Sequence, residues 1–248
     1  MQNPPSAGSG IADPMLQAMW LGRTEYPEAW AQQRRLWMGR LDGDCGDTLM
    51  LLEHPPTYTL GRRAIEQDLL IDDVQRAIKG IALYNVDRGG RATYHGPGQL
   101  VGYPIMSLGE RYDVLTYLRK LEEVLIRTAA DLGVEADRDE DHTGVWVGDN
   151  KIGAIGVKIT RGISMHGFAF NVSTDLRMFE GIVPCGLSDR WVTSVEAETS
   201  VVHSVKEVGA LAARHLSDIF DRALVWVHPD HLKSVGEVAA GELLEPQA

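Results

Sequence analysis

Residues 88–104 read RGGRATYHGPGQLVGYP, which places five glycines, two prolines, two arginines and a histidine in seventeen positions. Glycine lets backbone take positive φ or approach a ligand closely. Gly89-Gly90 and Gly96-Pro97-Gly98 therefore predict two turns flanking a short segment at 91–95. Such turns leave amide N–H groups free, and with Arg88 and Arg91 beside them they form a cradle suited to a carbonyl, carboxylate or phosphate. A tight β-hairpin with its arginines in solvent satisfies the same pattern.

The rest of the chain bounds what this cluster serves. At 248 residues with 44% hydrophobic content, there is enough apolar material for a sizeable core. No apolar run approaches bilayer-spanning length, and the opening MQNPPSAGSG lacks the basic and apolar regions of a signal peptide, so a cytoplasmic protein with no membrane partner is expected. The formal charge of −11 argues against nucleic acid as a partner, because phosphate backbones demand a positive face. An acidic partner protein needs a local basic patch here, for which Arg62, Arg63, Arg88 and Arg91 are candidates. The two cysteines, Cys45 and Cys185, have no metal-site spacing and form no disulfide framework, so both are expected as reduced thiols. Acidic neighbours in DGDCGD should raise the pKa of Cys45, and no role is assigned to it. There is no P-loop and no HExxH spacing, so neither a nucleotide cofactor nor a metal is expected.

Taken in order, residues 1–12 are rich in Pro, Gly and Ser and predict a disordered lead; residues 229–248 predict a flexible acidic tail. The first organised element is expected to be a helix from about Pro27, stopped by Gly43 and Gly46. Short strands are predicted at 48–53 and 57–60, a short helix at 71–79, a strand at 81–86 and another at 99–106. Leu115, Leu118, Leu121, Leu125, Ala129 and Leu132 recur at helical spacing behind Asp113, the predicted cap, with Gly133 closing the helix. Strands follow at 144–147, 151–159 and 165–172, the first two joined by a Gly148-Asp149-Asn150 turn. A last helix is predicted to open at Ser204 with the capping-box pattern Ser204-Val-Lys-Glu207 and run to about Leu224. No linker divides residues 13–228. The expected fold is a single α/β domain with a mixed, largely antiparallel sheet flanked by helices.

Three further stretches complete a pattern: KIGAIGVKI from Lys151, MHGFAFNV from Met165 and GIVPCGL from Gly181. With residues 88–104 they resemble, in order and spacing, the hallmark motifs of the octanoyltransferases, also called the lipoate-protein ligase B family. The resemblance covers residues from about 26 to about 220. It implies the fold of the lipoate ligase and biotin protein ligase catalytic domains, and a chemistry that moves an octanoyl group from octanoyl-acyl carrier protein to a lysine. The acceptors it implies are lipoyl domains of 2-oxoacid dehydrogenase E2 subunits and the glycine cleavage H protein.

Residue by residue, the resemblance makes Cys185 the nucleophile and Lys151 the cation that lowers the thiol's pKa and shuttles protons. The residue context agrees for Cys185, since Pro184 stiffens backbone before it and Gly186 frees backbone after it, and a thiol nucleophile needs a neighbouring cation or base. His95 competes with Lys151 as base or as a pocket donor; His142 and His166 are expected to be structural. The acyl pocket is expected from Arg88, Gly89, Gly90, Arg91, Ala92, Thr93, Tyr94 and His95, with Ala154, Ile155, Gly156, Gly167, Phe168 and Ala169. Small residues let a thioester carbonyl approach backbone amides, while Ile155 and Phe168 enclose an alkyl chain. Phe168 and Phe170 lie two apart on one strand, so at least one of them is expected in the core. Two other readings stand beside this one: an ATP-dependent lipoate-protein ligase of the same fold, which has no need of Cys185, and a non-catalytic acyl-binding module.

Overall fold

The structure, a computed structural model, describes residues 15–109, 111–183 and 191–230. The chain runs β1 (Met15–Arg23), α1 (Tyr26–Asp42), β2 (Asp47–Glu53), β3 (Thr57–Leu60), α2 (Asp73–Ile78), β4 (Ala82–Asn85), β5 (Ala92–His95) and β6 (Gln99–Ile105). It continues through α3 (Val114–Asp131), β7 (Asp137–Arg138), β8 (Val145–Val147), β9 (Asn150–Thr160), β10 (Ile163–Asn171), α4 (Val195–Thr199), α5 (Val205–Phe220) and β11 (Ala223–Trp226). An eight-stranded sheet has the order β11-β1-β2-β6-β10-β9-β8-β7, and a smaller sheet the order β4-β3-β5. In the large sheet β1 pairs in parallel with β11 and β2 and the pairings from β2 to β7 are antiparallel, while in the small sheet β3 pairs in parallel with β4 and antiparallel with β5, which matches the expected mixed sheet.

The run DTLMLLE in β2 is buried on both faces. Leu49 and Leu51 join the cluster under α3 and α5, which includes Leu121, Val124, Leu125, Ala212 and Leu216, whereas Met50 and Leu52 join the cluster under α1 with Ala29 and Leu36. Covering both faces requires a continuous apolar run where a half-exposed strand would alternate. Each such side chain contributes roughly 1.5–3 kcal/mol by leaving water. α3 starts as expected: the Asp113 carboxylate accepts from the amides of Leu115 and Thr116 at 3.2 and 3.0 Å. α1 ends where Gly43 takes a φ of 85°, a conformation that costs glycine little.

Four expectations need correction. Among the described residues the first element is β1, ahead of the helix predicted to open the fold; its sequence MLQAMWLGR mixes both faces and lacks a clean strand period. The last helix stops at Phe220 because Asp221 turns left-handed at φ 54°, and the residues expected to extend it leave as β11. The capping box at Ser204 does not form, since the Ser204 side chain makes no capping hydrogen bond. Finally, β5 and β6 are not a hairpin. Only Gly96-Pro97-Gly98 separates them, yet β5 pairs with β3 in the small sheet and β6 with β2 and β10 in the large one. The lead at 1–12 and the tail beyond residue 230 lie outside the described residues.

One buried carboxylate ties three parts of this frame. Asp47, fully buried at the start of β2, accepts from Arg40 of α1 at 2.8 Å, from Arg222 before β11 at 3.2 Å and from the Ser107 amide at 2.8 Å. Removing it leaves two partly buried guanidinium groups and the Ser107 amide without that acceptor. Asp47→Ala is expected to lower the unfolding free energy by about 1–3 kcal/mol, the usual cost of leaving such partners unsatisfied, read from urea denaturation.

Candidate active site

The two sheets meet around the glycine-rich loop. Strand β4 ends at Asn85, and from there the chain folds against β9: the Gly89 amide donates to the Val157 carbonyl at 2.9 Å. Gly156 permits this approach, because a Cβ there would stand 3.0 Å from both the Arg88 Cδ and the Gly89 carbonyl. Arg88 is buried and reaches into the small sheet, donating from Nη2 to the Thr59 carbonyl and hydroxyl at 2.8 Å each, and from Nη1 to the Gly89 carbonyl at 2.9 Å. Arg91 pairs with the buried Asp68 carboxylate. The Gly98 amide donates to Glu53 at 2.7 Å.

Arg88, Arg91 and the Gly89 and Gly98 amides are thus engaged within the protein, so the loop forms neither the expected anion cradle of free amides beside the two arginines nor the alternative hairpin with its arginines in solvent. Arg88 is also too deeply buried to belong to a surface docking patch. Arg62 and Arg63 are exposed, and their amides donate to the carbonyls of Arg88 and Gly90.

Between the loop, β5 and the face of β9–β10 lies a narrow cavity of about 50 Å³. Of the loop residues named from sequence, Arg88, Gly90, Arg91, Ala92, Thr93 and His95 line it. Ala154, Ile155 and Gly156 of β9 and Gly167, Phe168 and Ala169 of β10 form its other wall. Gly89 and Tyr94 do not reach it: Gly89 is bound to β9, and Tyr94 turns into the core of the small sheet, edge-on to Phe179 at 5.3 Å. Phe168 serves both as cavity wall and as core with Phe170.

Three side chains complete the wall that the sequence did not nominate for it: Tyr26 of α1, Tyr103 of β6 and His166 of β10. His166 is buried in a left-handed conformation at φ 56°, its Nε2 2.7 Å from Asp87 Oδ1, with Lys158 Nζ 2.6 Å from the other carboxylate oxygen. Burial pushes Asp87 up, but hydrogen bonds from His166 and Lys158 outweigh it and hold the carboxyl well below its ordinary range. Only the left-handed conformation of a non-glycine residue marks His166 as special, and the sequence gives no sign of that.

A second, smaller cavity shares Thr93, Ala154 and Ala169 with the first and ends at Lys151. Lys151, at the start of β9, is buried; its ammonium donates to the Thr143 carbonyl at 3.2 Å and stands 4.5 Å above the centre of the Trp146 ring. Its own backbone pairs with the segment at 191–193: the Lys151 amide donates to the Trp191 carbonyl and the Thr193 amide to the Lys151 carbonyl. On the other side, the Val183 amide donates to the carbonyl of Asp68, the residue that pairs with Arg91. Cys185 lies outside the described residues, but the chain on either side of it, at Val183 and at Trp191, is fixed to the two flanks of the cavity. Cys45 is remote from it, half-buried near the end of α1 with its thiol 3.5 Å from the Leu36 carbonyl.

A polar chain runs from the cavity toward the 191–193 segment. Gln99 Nε2 donates to the Tyr94 carbonyl and to Asn171 Oδ1, and Asn171 Nδ2 donates to the Thr193 carbonyl. This fixes Gln99 Oε1 as acceptor, so His95 Nδ1 carries the proton that it donates there at 2.9 Å. Burial, with the nearby charge of His54, pushes His95 well below its ordinary pKa, so it stands neutral at physiological pH. His142 lies apart from the cavity, bonded to Asp139 at 2.9 Å.

This mixed sheet with a cleft at its face is the fold of a lipoate-protein ligase. A lipoate-protein ligase A bound with ATP has the same fold, with a TM-score of 0.71 at 19% identity over 89% of this chain and 92% of that one. The chain belongs to the lipoyl protein ligase A/B catalytic domain family, whose profile matches residues 25–217. Among its relatives are an octanoyltransferase of Acidobacterium capsulatum, 46% identical over 86% of this chain and 93% of that protein, and one of Solibacter usitatus, 50% identical over 81% and 91%. Among the described residues, no helix is long and apolar enough to cross a membrane, and no group of three or more His, Cys, Asp or Glu could hold a metal ion.

The buried histidines behind the cavity make stability depend on pH. His54 donates from Nδ1 to the Thr24 carbonyl at 2.7 Å and lies 2.8 Å from the Tyr103 hydroxyl, and burial lowers its pKa to about 4. The unfolded imidazole takes up its proton near pH 6.5, the folded one only near pH 4. Between those values the unfolded chain binds more protons, so the native state loses stability as pH falls. The loss from His54 alone is expected to approach about 3 kcal/mol across that window, with His95 and His166 acting in the same direction. Urea denaturation at pH 7, 6 and 5 measures it, and His54→Gln is expected to flatten the slope.

Proposed function

We propose that this protein transfers an octanoyl group from octanoyl-acyl carrier protein to a lysine of lipoyl domains, through a thioester on Cys185. The observation that carries the reading is the placement of Lys151 at the end of an apolar cleft, paired through its backbone to the segment that follows Cys185. The octanoyltransferase relatives supply the acyl group and the reaction type. Along β9, Lys151 and Gly156 are about 17 Å apart at the rise of an antiparallel strand, enough for an extended eight-carbon chain. The chain lies with its carbonyl toward Lys151 and its methyl end among Ile155, Phe168 and the loop at 88–93.

The Cys185 thiolate attacks the thioester carbonyl, and collapse of the tetrahedral intermediate expels the carrier's thiolate, which takes a proton from the Lys151 ammonium. The acceptor lysine, as its free amine, then attacks the acyl-cysteine carbonyl. Cys185 leaves as thiolate and the amine's surplus proton passes to Lys151, returning the site to its starting state. Thioester to amide is downhill, so no nucleotide takes part. The acceptors are lipoyl domains of 2-oxoacid dehydrogenase E2 subunits and the glycine cleavage H protein. The exposed pair Arg62 and Arg63, at the rim of the loop, suits an acidic carrier.

Incubation with octanoyl-carrier protein, without nucleotide, is expected to add one octanoyl group to Cys185, seen by mass spectrometry. Cys185→Ser is expected to abolish transfer while thermal unfolding stays unchanged, and Cys45→Ser to be silent. A Cys185→Ser protein that transfers at the normal rate refutes the covalent route.

A cation beside a thiol favours the thiolate. Lys151→Ala is therefore expected to shift the pH profile of Cys185 alkylation by iodoacetamide upward, with the loss of rate shrinking as pH approaches the free thiol's pKa. Superimposable profiles remove Lys151 from thiol activation and leave His95 in its place.

A further inference from the structure

We infer that Glu122 of α3 is the positioning residue for Lys151, acting through the peptide group that joins Thr143 to Gly144. The inference rests on the proposed role of Lys151.

α3 packs an apolar face into the core through Leu121, Val124 and Leu125, and Glu122 interrupts that face fully buried. A buried carboxylate is costly unless its oxygens are satisfied, and here the two oxygens face different partners. Oε2 takes Arg119 at 2.8 Å and Arg138 at 3.4 Å. Oε1 reaches instead across to the loop between β7 and β8 and accepts the Gly144 amide at 3.0 Å. The N–H of Gly144 and the C=O of Thr143 belong to one planar peptide unit and point in opposite directions. That same carbonyl accepts the Lys151 ammonium at 3.2 Å.

Glu122 on one edge and Lys151 on the other therefore hold a single rigid plane. A carboxylate on the N–H side also polarises the peptide, which makes its carbonyl a stronger acceptor for an ammonium. The peptide also packs closely against β9, which only glycine permits. Gly144 sits at φ 134°, and a Cβ there would stand 2.7 Å from the Gly153 carbonyl and 3.1 Å from Lys151 Cε. The Trp146 ring completes the cradle below the ammonium. The bond that satisfies the second oxygen of the buried carboxylate thus also aims the Thr143 carbonyl.

Two conservative variants separate reach from charge. Glu122→Gln keeps an acceptor oxygen at the same distance and loses the charge; Glu122→Asp keeps the charge and withdraws the oxygen by one methylene. Two readouts are taken on each: the rate at which an N-hydroxysuccinimide acetate labels Lys151, followed by peptide mass spectrometry, and the turnover of octanoyl transfer. With Glu122 positioning Lys151, Glu122→Asp is expected to speed Lys151 labelling severalfold. It is also expected to slow transfer on the order of 10- to 100-fold, the penalty of a misplacement near 1 Å at a reacting centre. Glu122→Gln, which keeps the reach and loses only the polarising charge, is expected to change both by less than Glu122→Asp does. Wild-type labelling in Glu122→Asp, or a larger defect in Glu122→Gln than in Glu122→Asp, overturns the inference, because then the ion pairs with Arg119 and Arg138 are all that Glu122 provides. Faster labelling with unchanged transfer upholds the positioning and instead removes Lys151 from the chemistry.

Discussion

The Arg88 guanidinium holds the two sheets together at the cavity. A buried positive charge is tolerable only when its donors are met, and here they are met by Thr59 on the small sheet and by the Gly89 carbonyl, while the Gly89 amide is fixed to β9 of the large sheet. The loop between them is thereby fastened to both walls of the cleft. Gly61 and Gly156 allow the fastening sterically: a Cβ at Gly61 would stand 2.6 Å from the Gly90 carbonyl, and one at Gly156 would press on Arg88. The cleft exists because these contacts keep the small sheet at a fixed distance from the large one.

From there the site is organised along one strand. β9 carries one wall of the cavity at Ala154, Ile155 and Gly156 and the cation at Lys151, so the spacing between cavity and cation is set by covalent geometry. The hairpin partner β10 provides the adjoining wall in register, with Phe168 opposite Ile155 and Ala169 opposite Ala154. Polar groups beneath, from His95 through Gln99 and Asn171 to the Thr193 carbonyl, tie the strand edges to the chain that follows Cys185. A shift of β9 moves pocket and cation together, leaving their separation unchanged.

Much of this was legible in the sequence, for identifiable reasons. α3 shows because its apolar residues recur at helical spacing behind a true Asp113 cap, and β2 because burial on both faces demands an unbroken apolar run. The residues of β9, β10 and the loop that line the cavity came from the family resemblance, and their small size agrees with it because close backbone approach requires small residues. β1 and β11 were missed because edge and near-edge strands in a parallel pairing carry no clean alternation, and β11 has just four residues. The cradle of free amides was misread because which partner a glycine amide meets depends on strands far away in sequence, as with Gly89 and Val157 or Gly98 and Glu53. Tyr26, Tyr103 and His166 were missed as cavity wall for the same reason, since each arrives from a different element.

β2 and β6 are neighbours in the large sheet and antiparallel, so residues 54–98 are an excursion inserted into what is otherwise a hairpin. That excursion contains the whole small sheet, with the loop that roofs the cleft. Lengthening a loop between paired strands adds little to the entropy of closing it, since the cost grows only with the logarithm of length. The roof and the base of the chamber are therefore separable units: natural variation, or a graft from a relative, can recast the roof and with it the shape of the cavity, while the strand bearing Lys151 keeps its place.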